Sequence, residues 1–383
     1  MKIMFSVGEA SGDMHGASVA NALKLLQPDI DLFGMGGKAM ETAGVRIVYD
    51  IAGLGVMGFV EVIKKLGKLF ELRDNLAALM DAEKPDALVI IDYADFNVRL
   101  AKIAKAKGIP VVSYISPSAW AWRRGRAKEV AATVNRIAAI FPFEAEVYRE
   151  AGADVTFVGH PLADIVKPAL AKEEAYRHFS ARADQPVVLL MPGSRQQEID
   201  KLLPVMLESC RLIAARVPDC QFFLPVASTI SRQMLEQTID RYNIKVTLTT
   251  DYTYDLMGLS DAVIAASGTA TLETTLMGAP TVIIYKTAAL TYLLGKLLVN
   301  IPDIGLPNII AGRRIVPELL QADATAANIA AETVKLLTNT AVRQQTLADL
   351  AEVKEKIGQT GAVNRVAEII LEVASLSQYE VNR

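Results

Sequence analysis

Cysteine is nearly absent from this chain: Cys210 and Cys220 are the only two in 383 residues. They have neither metal-ligand company nor disulfide-scaffold spacing, so they read as buried thiols. An excess of charge of one sign is missing too. A formal net charge of -3 gives no general attraction to nucleic acid, so any phosphate chemistry must use local positive charge. No run of about 18 apolar residues occurs, which argues against a spanning helix. The chain opens directly on a strand pattern, so no secretory signal is expected ahead of it. These absences together lead to the expectation of a cytoplasmic protein. Yet 51% of the residues are hydrophobic and the mean hydropathy is +0.27. That excess needs an explanation.

What is present is an alternation of short apolar runs with longer helical patterns. Val187–Met191 and Ala262–Ala266 are examples of the runs. The pattern predicts mainly parallel sheets with right-handed crossovers, and ligands belong at the carboxyl ends of such strands. Helices are expected from residue 17 to 26, 59 to 80 and 97 to 107. A charged, alanine-rich stretch from Lys167 to Gln185 interrupts the alternation, which then restarts. The length suits two or three domains. The expected division is residues 1–165, 166–355 and a C-terminal helix over 356–383. From 324 to 375 the pattern is helical, with one break at Gly358–Gly361.

Three loops carry small residues after a strand pattern. The first is Gly8-Glu9-Ala10-Ser11-Gly12-Asp13. It is neither a dinucleotide fingerprint nor a phosphate loop ending in Gly-Lys-Ser/Thr. It reads either as a tight turn capped by Ser11 or Asp13, or as glycines bringing backbone and a carboxylate close to a polar substrate. His15 follows, as suited to packing as to catalysis. The second is Pro192-Gly193-Ser194-Arg195. A helix start there offers an anion backbone N–H groups and a guanidinium fork; the alternative is a surface ion pair. The third is Ser267-Gly268-Thr269-Ala270, whose hydroxyls suit a helix cap or a phosphate. Glu273 beyond it suits the hydroxyls of a ribose, or simple charge–dipole stabilisation. Asp92 and Asp95 follow the Ala87–Ile91 run. No nearby histidine or further acid completes a metal site. One positioned carboxylate suffices as a general base, and Asp95 equally suits a helix cap.

Taken in order, these motifs resemble bacterial lipid-A-disaccharide synthases, inverting glycosyltransferases built of two Rossmann-like domains. The likeness covers essentially the whole chain. It includes Val56-Met57-Gly58, Asp92–Asn97, Ser116–Arg123, Pro142-Phe143-Glu144, Gly159-His160 and Leu306-Pro307-Asn308. The resemblance implies an α/β fold of the GT-B type: two facing Rossmann-like domains, with the C-terminal helix returning toward the first. It implies a UDP-2,3-diacylglucosamine donor bound by the second domain, and a 2,3-diacylglucosamine 1-phosphate acceptor. The products are the β-1,6-linked disaccharide 1-phosphate and UDP, without metal or other cofactor. Asp95 becomes the essential acid, acting as base, with Glu9 and Asp92 beside it. Arg195, Ser194, Ser267, Gly268, Thr269, Glu273, Asn308 and His15 become substrate-binding. Relatives that exchange C-terminal portions make a homodimer an expectation as well.

A lipid acceptor also accounts for the apolar excess. The 59–73 stretch sets Leu66, Leu69 and Leu72 against Lys64, Lys65, Lys68 and Arg73, and Leu76 and Leu79 extend the apolar face. Trp120, Trp122, Arg123, Arg124, Arg126 and Lys128 form a second aromatic-basic stretch. Both suit peripheral attachment to anionic lipids at the inner face of the cytoplasmic membrane. The alternative for the first stretch is a core helix with a solvated basic side. Rival functions are a sugar-nucleotide epimerase, a transferase with a soluble acceptor, a nicotinamide oxidoreductase and a nucleotide-binding scaffold.

Overall fold

The computed structural model describes residues 1–53, 59–116, 124–287 and 303–381. Val56-Met57-Gly58, Trp120, Trp122 and Arg123 lie outside them, as do the side chains of Lys64, Lys65 and Arg124. The chain divides into two compact units. One comprises residues 1–161 and 359–383, the other residues 162–358.

The first unit is built on a parallel sheet of β1 (Lys2–Val7), β2 (Asp31–Gly36), β3 (Arg46–Asp50), β4 (Ala87–Ile91), β5 (Val111–Tyr114), β6 (Arg136–Ala139) and β7 (Val155–Phe157). The strand order is β3-β2-β1-β4-β5-β6-β7. All five residues of β4 are buried, as are Ile3 to Val7 of β1. Continuous apolar burial is what a parallel sheet covered on both faces demands. The covering helices include α1 (Ala10–Leu26), α2 (Lys38–Thr42), α3 (Phe59–Glu83) and α4 (Ala94–Ala106). The terminal helix Ala362–Val381 also packs here, against α1, β4, β5 and β6. Arg365 Nε donates to the Val158 carbonyl at 2.9 Å and holds its start.

The second unit carries β8 (Val187–Met191), β9 (Gln221–Pro225), β10 (Val246–Thr249), β11 (Ala262–Ala266), β12 (Thr281–Tyr285) and β13 (Glu318–Leu320). Their order is β10-β9-β8-β11-β12-β13, again parallel. Both sheets thus reverse their strand order once near the middle. The reversal lies between β1 and β4 in one and between β8 and β11 in the other. Crevices for ligands open at such points, outside the carboxyl ends of the strands.

Several expectations need correction. Helix α1 begins at Ala10, so Ser11, Gly12 and Asp13 belong to its first turn. Neither Ser11 nor Asp13 caps it; Glu9 takes the N-cap position in extended backbone. Helix α4 begins at Ala94, which places Asp95 inside it. The C-terminal stretch has a second break, where the Asn339 side chain accepts from Val342 N at 3.1 Å and starts a new helix. Leu76 is not exposed: it is fully buried, in a core cluster with Met4, Phe33 and Leu88, and Leu72 and Leu79 pack against that cluster. From Leu72 onward α3 is therefore a core helix. Cys210 is buried and Cys220 partly so, both free. Among the described residues no helix is long and apolar enough to cross a membrane.

Candidate active site

The four loops that flank the two reversal points carry most of the nominated residues. In the first unit, β1 leads to Gly8-Glu9 and β4 to Asp92-Tyr93. Asp92 and Tyr93 both take left-handed backbone, φ 52° and 50°, a strained pair that turns the chain sharply into α4. Asn97 holds this turn from below. Its side-chain N–H groups donate to the carbonyls of Asp92 (2.8 Å) and Ser6 (3.1 Å), and its oxygen accepts from Ser6 Oγ at 2.6 Å. The Tyr93 ring then lies over Gly8, where an added Cβ would meet it at 2.1 Å; no larger residue fits.

Asp13 secures the other side. Its carboxylate accepts backbone N–H groups from Gly37 (2.7 Å), Ala39 (2.9 Å) and Met40 (3.1 Å). It thereby caps α2 and ties that helix to α1. His15, two residues on in α1, is half-buried. Burial lowers its pKa and the Asp92 charge opposes that fall. Burial pushes His160 down to about 3, with His15 adding to the shift. Burial also raises Glu144 to about 8 against the backbone N–H groups of Ile140 and Phe141. At neutral pH this edge of the sheet therefore holds His160 neutral and much of Glu144 protonated.

Asp95 sits apart from these buried groups. Its side chain is 88% exposed and paired with Arg126, and it lines an open recess with Gly125, Arg126 and Glu129. The Asp92 charge acts on His15, and that of Glu9 on Tyr93. Asp95 faces the neighbouring helix Arg124–Ala131.

In the second unit a cavity of about 460 Å³ opens at the reversal point. Ser194, Arg195, Ser267, Gly268, Thr269 and Glu273 all line it. Gly193 has φ +107°, and a Cβ there would meet Glu198 Oε2 at 2.2 Å. Glu198 turns back over the start of its own helix, Gln196–Ala214. It accepts from Ser194 N (3.2 Å) and Arg195 N (3.4 Å) and pairs with the Arg195 guanidinium at 3.1 Å. Thr229 Oγ1 fixes the loop by donating to the Ser194 carbonyl at 2.6 Å. Across the cavity, Tyr254 donates to Glu273 at 3.2 Å. Burial raises the Glu273 pKa and the tyrosine bond opposes it. Tyr254 itself is pushed up to about 12 by burial and by the Glu273 charge. Ser267 Oγ donates to the Ile304 carbonyl at 3.4 Å.

Asn308 is not among the described residues that line this cavity. It is buried, and its polar atoms are spent inside the fold. It donates to the Val316 carbonyl and to Glu318 Oε1, and accepts from the backbone of Ile315 and Val316. Glu318 in turn accepts from Ile304 N and Gly305 N, both at 2.9 Å. Asn308 is a structural hub behind Ser267.

The lipid-A-disaccharide synthetase family model matches residues 3–373. The lipid-A-disaccharide synthase of Geobacter sulfurreducens is 46% identical over 97% of both chains. The chain belongs to the lipid-A-disaccharide synthase family. Its fold is of the two-domain GT-B kind. A putative UDP-N-acetylglucosamine 2-epimerase from Listeria monocytogenes superposes with TM-score 0.64 at 14% identity, covering 95% of this chain and 94% of that one. The glycotransferase of kitacinnamycin gives TM-score 0.62 at 16% identity, covering 97% and 98%. At those identities the likeness is one of fold.

The sequence motifs lead to the loops at the strand-order reversals but not to the side chains that support them. Tyr254, Glu198, Thr229 and Asn97 had been assigned no role. Glu198 had a usable signal, since a Glu three residues after the N-cap is the mark of a capping box. Tyr254 had none, because its partner Glu273 lies on another element.

Proposed function

We propose that Asp95 is the general base of the family's disaccharide synthesis, and that the cavity of the second unit holds the UDP of the donor. The reaction joins UDP-2,3-diacylglucosamine to 2,3-diacylglucosamine 1-phosphate. Asp95 takes the proton of the acceptor's 6-hydroxyl as that oxygen bonds to the donor's anomeric carbon. The bond from that carbon to the diphosphate breaks with its electron pair leaving on UDP, so attack from the opposite face inverts the centre. Arg195 and the N–H groups of the Ser194 and Thr269 loops stabilise the charge gathering on the diphosphate. Glu273, oriented by Tyr254, accepts from the ribose. What supports this reading is that Glu9 and Asp92 follow the two strands at the order reversal of the first unit, with Asp95 on the first turn of α4 just beyond, while Ser194, Arg195, Ser267 and Thr269 line the cavity at the reversal of the second. UDP release should be seen only when both acylated sugars are supplied. Release with the donor alone at the same rate would make the chain a hydrolase, and a UDP-sugar product isomer would make it an epimerase.

The acceptor is a lipid, and the stretch Lys68–Phe70 in the middle of α3 suits an approach to its membrane. Phe70 is 41% exposed, Lys68 is exposed and Leu69 half-buried. An apolar edge with basic neighbours binds anionic headgroups at the interface without spanning the bilayer.

A further inference from the structure

The acceptor carries a phosphate as well as the reacting hydroxyl, and the first unit has an arginine placed for it. We propose that Arg99 binds the acceptor's 1-phosphate while Asp95 holds its 6-hydroxyl. This rests on Asp95 being the base. The two residues are four apart on α4, so they share a face and are separated by about 6 Å of helix rise. The phosphate is carried on C1 and the reacting hydroxyl on C6, the carbon attached to C5; C1 and C5 flank the ring oxygen, so the two groups lie on neighbouring edges of one hexose and one substrate can meet both.

The charges around the recess single out Arg99. Arg126 is paired with Asp95. Lys102 is bound to Glu129 at 2.6 Å. Arg73 holds Asp74 with two nitrogens, at 2.9 and 2.6 Å. Arg99 is exposed and has no ion pair among the described residues. Its guanidinium lies 6.0 Å from the centre of the exposed Phe70 ring; that of Arg73 lies 5.1 Å from the same ring. A guanidinium beside an aromatic face keeps its outer N–H groups for a second partner, and its planar fork matches a phosphate. Lys102, Arg126 and Arg99 all lower the pKa of Glu129, so the three cations act on one small region. Glu129 repels an entering phosphate, but Lys102 offsets its charge. Phe70 gives an apolar surface next to the phosphate, suited to the start of an acyl chain. A membrane headgroup offers the same chemistry. The acceptor is favoured because only a ligand that also engages Asp95 requires the one-turn register on α4.

Arg99→Gln and Arg99→Lys test the assignment, with acceptor varied at saturating donor. Arg99→Gln should raise the acceptor KM at least about tenfold, the scale of a lost charge-assisted hydrogen-bond pair. Arg99→Lys should recover part of the loss. Donor KM, UDP affinity and sedimentation with phosphatidylglycerol vesicles should match the parent. An acceptor analogue without the phosphate should be used equally by parent and variant. An unchanged acceptor KM overturns the proposal, as does an equal loss on the phosphate-free acceptor. Vesicle binding that falls in step with KM would assign Arg99 to the membrane. Failure of Asp95 as base would appear separately, as unimpaired turnover in an Asp95 variant.

Discussion

Glu198 occupies backbone donors that the proposed diphosphate site would use. Its carboxylate holds Ser194 N, Arg195 N and the Arg195 guanidinium, so on that proposal UDP displaces it or shares those groups. Removing that charge should help UDP bind. Glu198→Gln is expected to tighten UDP binding roughly fivefold, the scale of about 1 kcal/mol between partly solvated charges. Arg195→Ala should weaken it. Calorimetry showing Glu198→Gln as weak as Arg195→Ala would mean that Glu198 orients the arginine and does not compete. At this scale the sequence exposed the groups on the loops at the strand ends and hid those that hold the loops. Asp92, Asp95 and Arg195 stand beside glycine turns and strand ends, which local pattern reveals. Asn97 works through Ser6, 91 positions away, and Asn308 through Glu318. Such pairings exist only after the sheets have formed, so a polar residue in a motif looks the same whether it meets substrate or backbone.

Helix α3 shows the same limit for an element. Its apolar and basic residues alternate at helical spacing, which suits a membrane surface and a core equally. The structure divides the helix: Leu76 is at 0% exposure, while Leu69 and Phe70 lie nearer solvent. The two halves should respond differently. Leu69→Ser with Phe70→Ser should reduce sedimentation with anionic vesicles and leave the melting temperature nearly unchanged. Leu76→Ser should destabilise by about 2–5 kcal/mol, the range for truncating a buried leucine, with a burial cost for the hydroxyl added. Equal stability losses from both halves would make α3 a core helix throughout. Strands β3 and β13 escaped the sequence reading for a related reason. β13 has three residues and β3 alternates between exposed and half-buried ones, so neither offers a continuous apolar run.

For the molecule as a whole, the repeated strand order is the organising fact. Each unit winds from its first strand to one edge and then to the other, and this creates one ligand crevice per unit. The alternation of apolar runs and helices made this architecture legible, because parallel strands buried on both faces leave a strong signal. The proposed division of labour rests on what lines each crevice: Glu9 and Asp92 in the first unit, and in the second Arg195 with the hydroxyls of Ser194, Ser267 and Thr269 and the carboxylates of Glu198 and Glu273. Its central claim is that Asp95 performs the proton transfer while UDP binds elsewhere. Asp95 is exposed and its pair with Arg126 is a surface one, a contact that contributes about 0–1 kcal/mol, so Asp95→Asn should fold normally. The deciding measurement is steady-state turnover of Asp95→Asn with both acylated sugars, alongside its UDP affinity. The expected result is kcat lower by at least about 100-fold with UDP affinity unchanged. Turnover near that of the parent in the folded variant would contradict it.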